Sequence, residues 1–596
     1  MGCKFVALIN RKKSIKFLCS TLVFTLFYGC NSSEKDNPEA VKDVYQAQFA
    51  GGDARQQPIN KNLPNILIII VDDLGFNDLG IFGSEIDTPN IDSLAQQGLL
   101  FTNFHAAPNC SPTRAMLLSG VDNHIAGLGN MGEALSDNQK DKPGYEGYLN
   151  FQVVALPERL KKAGYNTYMA GKWHLGLTKE TGPMARGFDE SFALLQGGAG
   201  AFSNRLSVVG PGKALYQENG NKVEGLPEDF YSTRFYTKKM ISYIDKHLAD
   251  DKPFFSYLAY TAPHWPLQAP RESISKYNGV YDGGYDRLHE SRSSRAKKLG
   301  FINDNTPSFP RLLDEPPWDD LSELDKKYQA RTMEIYAAMV DDVDKDIGRL
   351  ITYLKNIEEY QNTVIFFMSD NGPEGHQLGK DMPPVFDQWA QDCCDNSYEN
   401  IGNANSYVMY GPSWARAGNA PHRMFKGFTG QGGVVVPAFF HYPDRFVVDQ
   451  KSNALLHVTD IVPTILDITD TPIQTGKKFN GREVVAVQGR SILPLLMGQK
   501  KEIHSEDDYI AWELFGKRAV RKGHWKIIYL PHHKLFESRI PFIKTNFWQL
   551  YNLEVDPTES NDLAKEFPRK LTELVGLWDQ YVVENGVIIP PTTNAY

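Results

Sequence analysis

Cysteine is scarce: 596 residues carry only six, at 3, 19, 30, 110, 393 and 394. That excludes a disulfide framework and lets each cysteine be questioned singly. A basic excess is also missing. The formal net charge is −9, and a phosphate-backbone binder would show a basic footprint, so no nucleic-acid partner is expected. No apolar run reaches the ~20 residues of a bilayer span. The 41% hydrophobic and 23% charged residues exclude a mostly disordered chain and supply enough apolar side chains for a large core.

The longest apolar stretch, Phe17 to Tyr28, follows Lys4, Arg11, Lys12, Lys13 and Lys16 with no acid among them. This order predicts a signal peptide over 1–29. Leu26-Phe27-Tyr28-Gly29-Cys30 resembles a bacterial lipobox, which implies lipidation at Cys30; plain secretion is the alternative. Either way the expected location is the bacterial cell envelope, as a periplasmic or membrane-anchored lipoprotein. Removing residues 1–29 takes away those five positive charges and deepens the net charge from −9 to −14. Residues 30–61 are polar and read as a flexible tether.

Beyond the tether, strand-like apolar runs alternate with helical periodicity. Asn65–Val71 ends at Asp72-Asp73, Tyr165–Ala170 at Gly171-Lys172, Pro253–Tyr260 at Pro263-His264, and Thr363–Met368 at Ser369-Asp370-Asn371. Between them, Lys326–Lys355 repeats apolar residues at helical spacing. The pattern predicts an α/β fold with a mostly parallel sheet, and ligands bind outside the carboxyl ends of such strands. All four runs carry their polar residues there. Residues 275–320, rich in charge, Gly, Ser and Pro, read as a surface excursion. Past about 500, four short strand-like pieces and a helix from Pro568 to Glu584 predict a small antiparallel α+β domain.

Cys110-Ser111-Pro112-Thr113-Arg114 and Gly164–His174 (GYNTYMAGKWH) carry the chemistry. Together they resemble the two signatures of the type I sulfatases, closest to bacterial arylsulfatases of the Cys type, and the likeness runs from Pro64 to Asp556-Pro557. It implies an alkaline-phosphatase-like sandwich with a large mixed sheet flanked by helices, a catalytic domain over 62–500 and a small subdomain over 501–596. It implies hydrolysis of aryl or carbohydrate sulfate esters through formylglycine made from Cys110 by a maturase. Asp72, Asp73, Asp370 and Asn371 become the metal ligands; this hard oxygen set suits Ca2+ or Mg2+. Arg114 positions residue 110, Lys172, His264 and Lys426 bind sulfate, and His174 moves a proton. Chemistry supports the modification: an anionic thiolate would be repelled by a sulfate ester, whereas an aldehyde hydrate offers a neutral hydroxyl. Two other readings stand beside it: a phosphonate monoester hydrolase or phosphodiesterase of the same superfamily, and a non-catalytic lipoprotein binding sulfated glycans. His124 reads equally as a residue of the substrate mouth or as structural. Cys393-Cys394 fits either a vicinal disulfide or two thiols.

Overall fold

The computed structural model describes residues 63–591 apart from 209, 444, 447–449, 474–477 and 542. The expected signal peptide, the tether and Cys30 lie outside the described residues.

Ten strands form the main sheet. They are β1 (Asn65–Val71), β2 (Leu99–Phe101), β3 (Asn166–Lys172), β4 (Glu190–Leu194), β5 (Tyr216–Glu218), β6 (Asn221–Lys222), β7 (Phe254–Ala259), β8 (Thr363–Ser369), β9 (Ala438–His441) and β10 (Gln450–Ser452). Their spatial order is β10-β2-β9-β8-β1-β7-β3-β4-β5-β6. The central five, β8-β1-β7-β3-β4, are mutually parallel. Antiparallel β9 and β5 flank them. β1 shows why: every residue from Asn65 to Val71 is buried. Ile66, Ile68 and Ile70 enter one core, Leu67, Ile69 and Val71 the other, as period-2 alternation between two covered faces requires.

Three helices matter for the site. Helix α1 (Cys110–Ser119) is buried along its whole length, and its N-cap Asn109 accepts from the Cys110 N–H. Helix α2 (Ser232–His247) and the 34-residue α3 (Glu323–Asn356) cover one face of the sheet. Ser322 caps α3 by accepting from the Asp325 N–H at 3.1 Å. The second signature forms β3, in which Gly171 is obligatory: its φ is 118°, and a Cβ there would lie 1.8 Å from the Ala259 carbonyl oxygen of β7.

The reading of 275–320 as a surface excursion is corrected. The segment contains a helix, Gly284–Lys298, and buries Tyr281, Tyr285, Phe309, Leu312 and Trp318. Its charge turns inward: fully buried Arg292 pairs with Asp78 and Glu85. Asp78 in turn accepts from the Gly75 N–H and the Tyr336 hydroxyl, just past the end of β1. A charge count cannot distinguish such an arginine from a solvated one.

The C-terminal part is an antiparallel sheet of β11 (Tyr509–Leu514), β12 (Lys517–Lys522), β13 (Trp525–Tyr529) and β14 (Trp548–Asn552). Before it, helix α4 (Pro384–Asp392) runs into a disulfide between Cys393 and Cys394. Ala511, Val520, Ile527 and Leu550 face the last helix, α5 (Pro568–Asn585). Alternate residues Trp512, Ala519, Ile528 and Tyr551 join the core of the main body. Buried polar contacts fix the docking: Trp512 Nε1 donates to the Ala106 carbonyl at 2.9 Å, and Lys526 Nζ donates to Gln431 Oε1 at 3.0 Å. Among the described residues no helix is long and apolar enough to cross a membrane.

Candidate active site

Adjacent parallel strands bring their carboxyl ends to one place, and the polar residues that terminate them converge there. Asp72 and Asp73 follow β1, Lys172 ends β3, His264 follows β7, and Asp370 and Asn371 follow β8. Cys110 opens α1, and Lys426 arrives on the loop before β9. All ten residues singled out from the sequence come together except that His174 stands slightly apart, on the cavity wall with Glu133.

The cluster is almost dry. Asp72, Asp370, Asn371, Arg114 and Lys172 are fully buried, and Asp73 and Lys426 nearly so. Ligand atoms of Asp72, Asp73, Cys110 and His264 lie within 4.8 Å of one another. Arg114 reaches Asp370 Oδ2 with Nε at 2.9 Å and Nη2 at 2.8 Å, and its Nη1 donates to the Lys172 carbonyl at 3.0 Å. One guanidinium thus ties the ends of β8 and β3 together beneath Cys110. Lys172 Nζ sits 2.7 Å from Asp72 Oδ2, and Lys426 Nζ 2.9 Å from Asp73 Oδ2. Asn371 Nδ2 donates to Asp73 Oδ1 at 2.7 Å. The Cys110 thiol lies 3.8 Å from the same oxygen. Asp73 and His174 both hold positive φ, 63° and 54°, a conformation costly for a side-chain-bearing residue and concentrated at functional sites.

Electrostatics show what the cluster is built for. Burial pushes the Asp72 carboxyl well up, Lys172 pulls it back, and Asp370 and Asp73 push it up again. Asp73 is raised in the same way. Asp370 is driven down because Arg114, with Lys172 and Lys426, outweighs its burial. Burial, reinforced by Asp370, drives the Cys110 thiol up. Burial and Lys426 hold His264 neutral. Its Nδ1–H donates to the Trp265 carbonyl at 2.6 Å, which leaves Nε2 facing Asp73 at 3.6 Å.

Three carboxylates crowded without water favour an added cation. Asn371 Oδ1 is buried without a hydrogen-bond partner. The residues present therefore fit a divalent metal ion, which Asp72, Asp73, Asp370 and Asn371 would hold.

A cavity of about 700 Å³ opens onto Cys110, within the range of small-molecule sites. His174, His264 and Lys426 share its wall with the apolar side chains of Met131, Trp265, Met382, Phe386 and Phe515. Trp265 lines the cavity, whereas Trp173 and Trp414 are packed in the core. His124 lies elsewhere and is structural, paired with Asp122 at 2.9 Å and Glu513 at 3.6 Å.

Sequence reasoning missed two acids. Glu374 accepts from Trp265 Nε1 at 3.1 Å, lies 3.1 Å from Lys426 Nζ, and pairs with His376. Glu133 lies 2.8 Å from His174 Nε2. For Glu374 a signal existed, four residues past Asp370 in the turn after β8; for Glu133 there was none.

Residues 64–471 match the Sulfatase family model, more than half of the chain. The chain belongs to the sulfatase family. Residues 422–575 also match the model described as N-sulphoglucosamine sulphohydrolase, C-terminal. An uncharacterized sulfatase of Schizosaccharomyces pombe is 46% identical, over 89% of this chain and 95% of its own. An arylsulfatase of Klebsiella aerogenes is 37% identical over 76% of this chain and 96% of its own. Among solved structures, Ps i-CgsB in complex with k-i-k-neocarrahexaose has a TM-score of 0.62 at 24% identity, covering 89% of this chain and 95% of that one. The phosphonate monoester hydrolase of Agrobacterium radiobacter has a TM-score of 0.52 at 18% identity, covering 88% and 96%; like the first, it speaks to the fold alone. The protein is a sulfuric ester hydrolase, which removes the purely binding reading.

Proposed function

We propose that this sulfatase cleaves the sulfate esters of flat, apolar alcohols, phenols foremost, using residue 110 as formylglycine beside a calcium ion. The observation that carries this reading is the cavity at Cys110, whose Met131, Trp265, Met382, Phe386 and Phe515 side chains offer a leaving group apolar faces. Converted by a maturase and hydrated, residue 110 supplies one hydroxyl to attack sulfur and a second whose loss of a proton expels sulfate as the aldehyde returns. Bound by Asp72, Asp73, Asp370 and Asn371, the cation supplies fixed positive charge for the sulfuryl oxygens; the all-oxygen donor set favours calcium, with magnesium next.

The chain's own residues do the rest. Lys172 and Lys426, already inside the cluster, stabilise charge on the sulfuryl oxygens in a site without bulk water. His264 is oriented by the Trp265 carbonyl and meets the departing oxygen. Arg114 holds Asp370 ionised and fixes the segment that carries residue 110. His174 takes the proton in the release step.

A second reading, sulfated sugars, draws on the likeness to Ps i-CgsB, whose structure holds k-i-k-neocarrahexaose. The phosphonate reading draws on the phosphonate monoester hydrolase likeness. Comparing kcat/KM on 4-nitrophenyl sulfate, a sulfated disaccharide and phenyl phosphonate separates all three. The aryl sulfate is expected to lead; a leading sulfated sugar or phosphonate would overturn the reading. We place the enzyme in the cell envelope on the basic-then-apolar order of residues 1–29, with Cys30 as the lipid site; palmitate labelling of wild type against Cys30→Ser tests the anchor.

A further inference from the structure

Glu133 belongs to neither signature, yet it stands beside the machinery. It sits in the single turn Gly132–Ala134, with Oε1 2.8 Å from His174 Nε2. Its side chain is 43% exposed, on the cavity wall that Cys110 and His174 also line, so water in the cavity helps keep the carboxylate ionised. The other ring nitrogen, His174 Nδ1, is buried and makes no hydrogen bond. An ionised carboxylate only accepts, so the proton sits on Nε2 and Nδ1 carries the lone pair. Gly197 backs the pair closely: a Cβ there would come 2.8 Å from His174 Cε1, 3.0 Å from its Nε2 and 3.3 Å from Glu133 Oε1. A side chain at 197 would push the two apart, so the backbone is shaped around them.

We propose that Glu133 is a positioning residue for His174: it fixes the tautomer and ring orientation that make Nδ1 the proton acceptor when sulfate leaves residue 110. The proposal rests on the formylglycine reading above. In that step the proton passes from the remaining hydroxyl of residue 110 to Nδ1. The O–H electron pair becomes the second bond of the aldehyde, and the C–O bond to sulfate breaks, its pair leaving with sulfate. The ring is then cationic. Burial, Lys172 and Arg114 all oppose that charge, and Glu133 opposes them. The arrangement follows the logic of a base oriented by a carboxylate, here with the two ring nitrogens assigned by which one Glu133 occupies.

The test compares wild type with Glu133→Gln and Glu133→Asp. The first readout needs no turnover. In protein labelled with ¹⁵N-histidine, His174 is assigned by the resonance that His174→Ala removes. Wild type is expected to show an Nδ1 lone pair and a protonated Nε2; Glu133→Gln is expected to show mixed tautomers. An identical tautomer in both overturns the proposal. The second readout is kinetic, on 4-nitrophenyl sulfate. Glu133→Gln is expected to lose about 10²-fold in kcat, with KM falling alongside it so that kcat/KM is largely retained. A stoichiometric nitrophenol burst should appear as release becomes limiting. The acidic limb of the kcat profile should move to lower pH, because a ring without its carboxylate partner is harder to protonate. Glu133→Asp should recover part of the rate. A raised KM with unchanged kcat, or a loss without a burst, overturns the proposal. If wild type turns over no sulfate ester, the functional reading fails, and the ¹⁵N measurement still decides the role of Glu133.

Discussion

At the scale of single residues, the site combines groups that would be unstable apart. Asp72, Asp73 and Asp370 share a dry volume, their charge partly offset by Arg114, Lys172 and Lys426, the last shared with Glu374. Chelator treatment is expected to abolish turnover and lower the melting temperature, and calcium to restore both better than zinc; differential scanning fluorimetry with an activity assay reads the two together. His264→Ala is expected to cost about 10²- to 10³-fold in kcat without altering stability, because it removes one preorganised partner of the leaving oxygen; steady-state kinetics and thermal melts check this. Asp72, Asp73, Lys172, His264 and Asp370 were legible because each follows an apolar run, and a strand end in a parallel sheet is where a polar residue has a reason to be; Arg114 and Lys426 end no strand and were legible only through the family resemblance. Glu133 was not legible: a lone acid in a Gly-rich loop has no period and no strand to end, and only tertiary structure places it against His174.

At the scale of elements, two features control whether those residues meet. Gly171 lets β3 lie close to β7. Gly171→Ala is expected to cost at least the roughly 1–3 kcal/mol of a strained backbone position, with a further loss of activity as Lys172 shifts; urea unfolding and kcat measure the two effects. The segment around Gly284–Lys298 is tied inward by Arg292. Arg292→Ala leaves Asp78 buried without its partner, and is expected to destabilise by about 3–5 kcal/mol, again by urea unfolding. The sequence showed four of the five central parallel strands, missing Glu190–Leu194, and the long helix almost to the residue, Lys326–Lys355 against Glu323–Asn356, because period and length are local properties. It misplaced 275–320 because the direction in which a charged side chain points is decided by a partner far along the chain, as with Arg292 and Asp78.

At the scale of the whole molecule, the C-terminal sheet is fastened to the body by buried polar contacts as well as by packing. His124 is one fastening. It is paired with Asp122 and with Glu513 of β11, and Tyr581 of α5 lies 3.1 Å from its Nδ1. Burial alone would lower its pKa, but Asp122 and Glu513 overcome this and raise it to about 9. A raised folded-state pKa means that the stabilisation is complete below the unfolded value near ~6.5 and fades as pH climbs through about 9. The melting-temperature gap between wild type and His124→Gln is therefore expected to be widest near pH 6 and to close towards pH 10.

The depth of Cys110 has a consequence for the order of events in the life of the chain. The residue is 2% exposed, inside a helix buried along its whole length. A cavity of about 700 Å³ admits a small ester but not the catalytic centre of another protein. Any enzyme that converts this cysteine must therefore act while the segment is still unfolded, before the strands bearing Asp72 and Asp370 close around it. If residue 110 acts as formylglycine, as proposed, folding and modification compete for the same interval, and a chain that folds first is expected to stay inactive however stable it is.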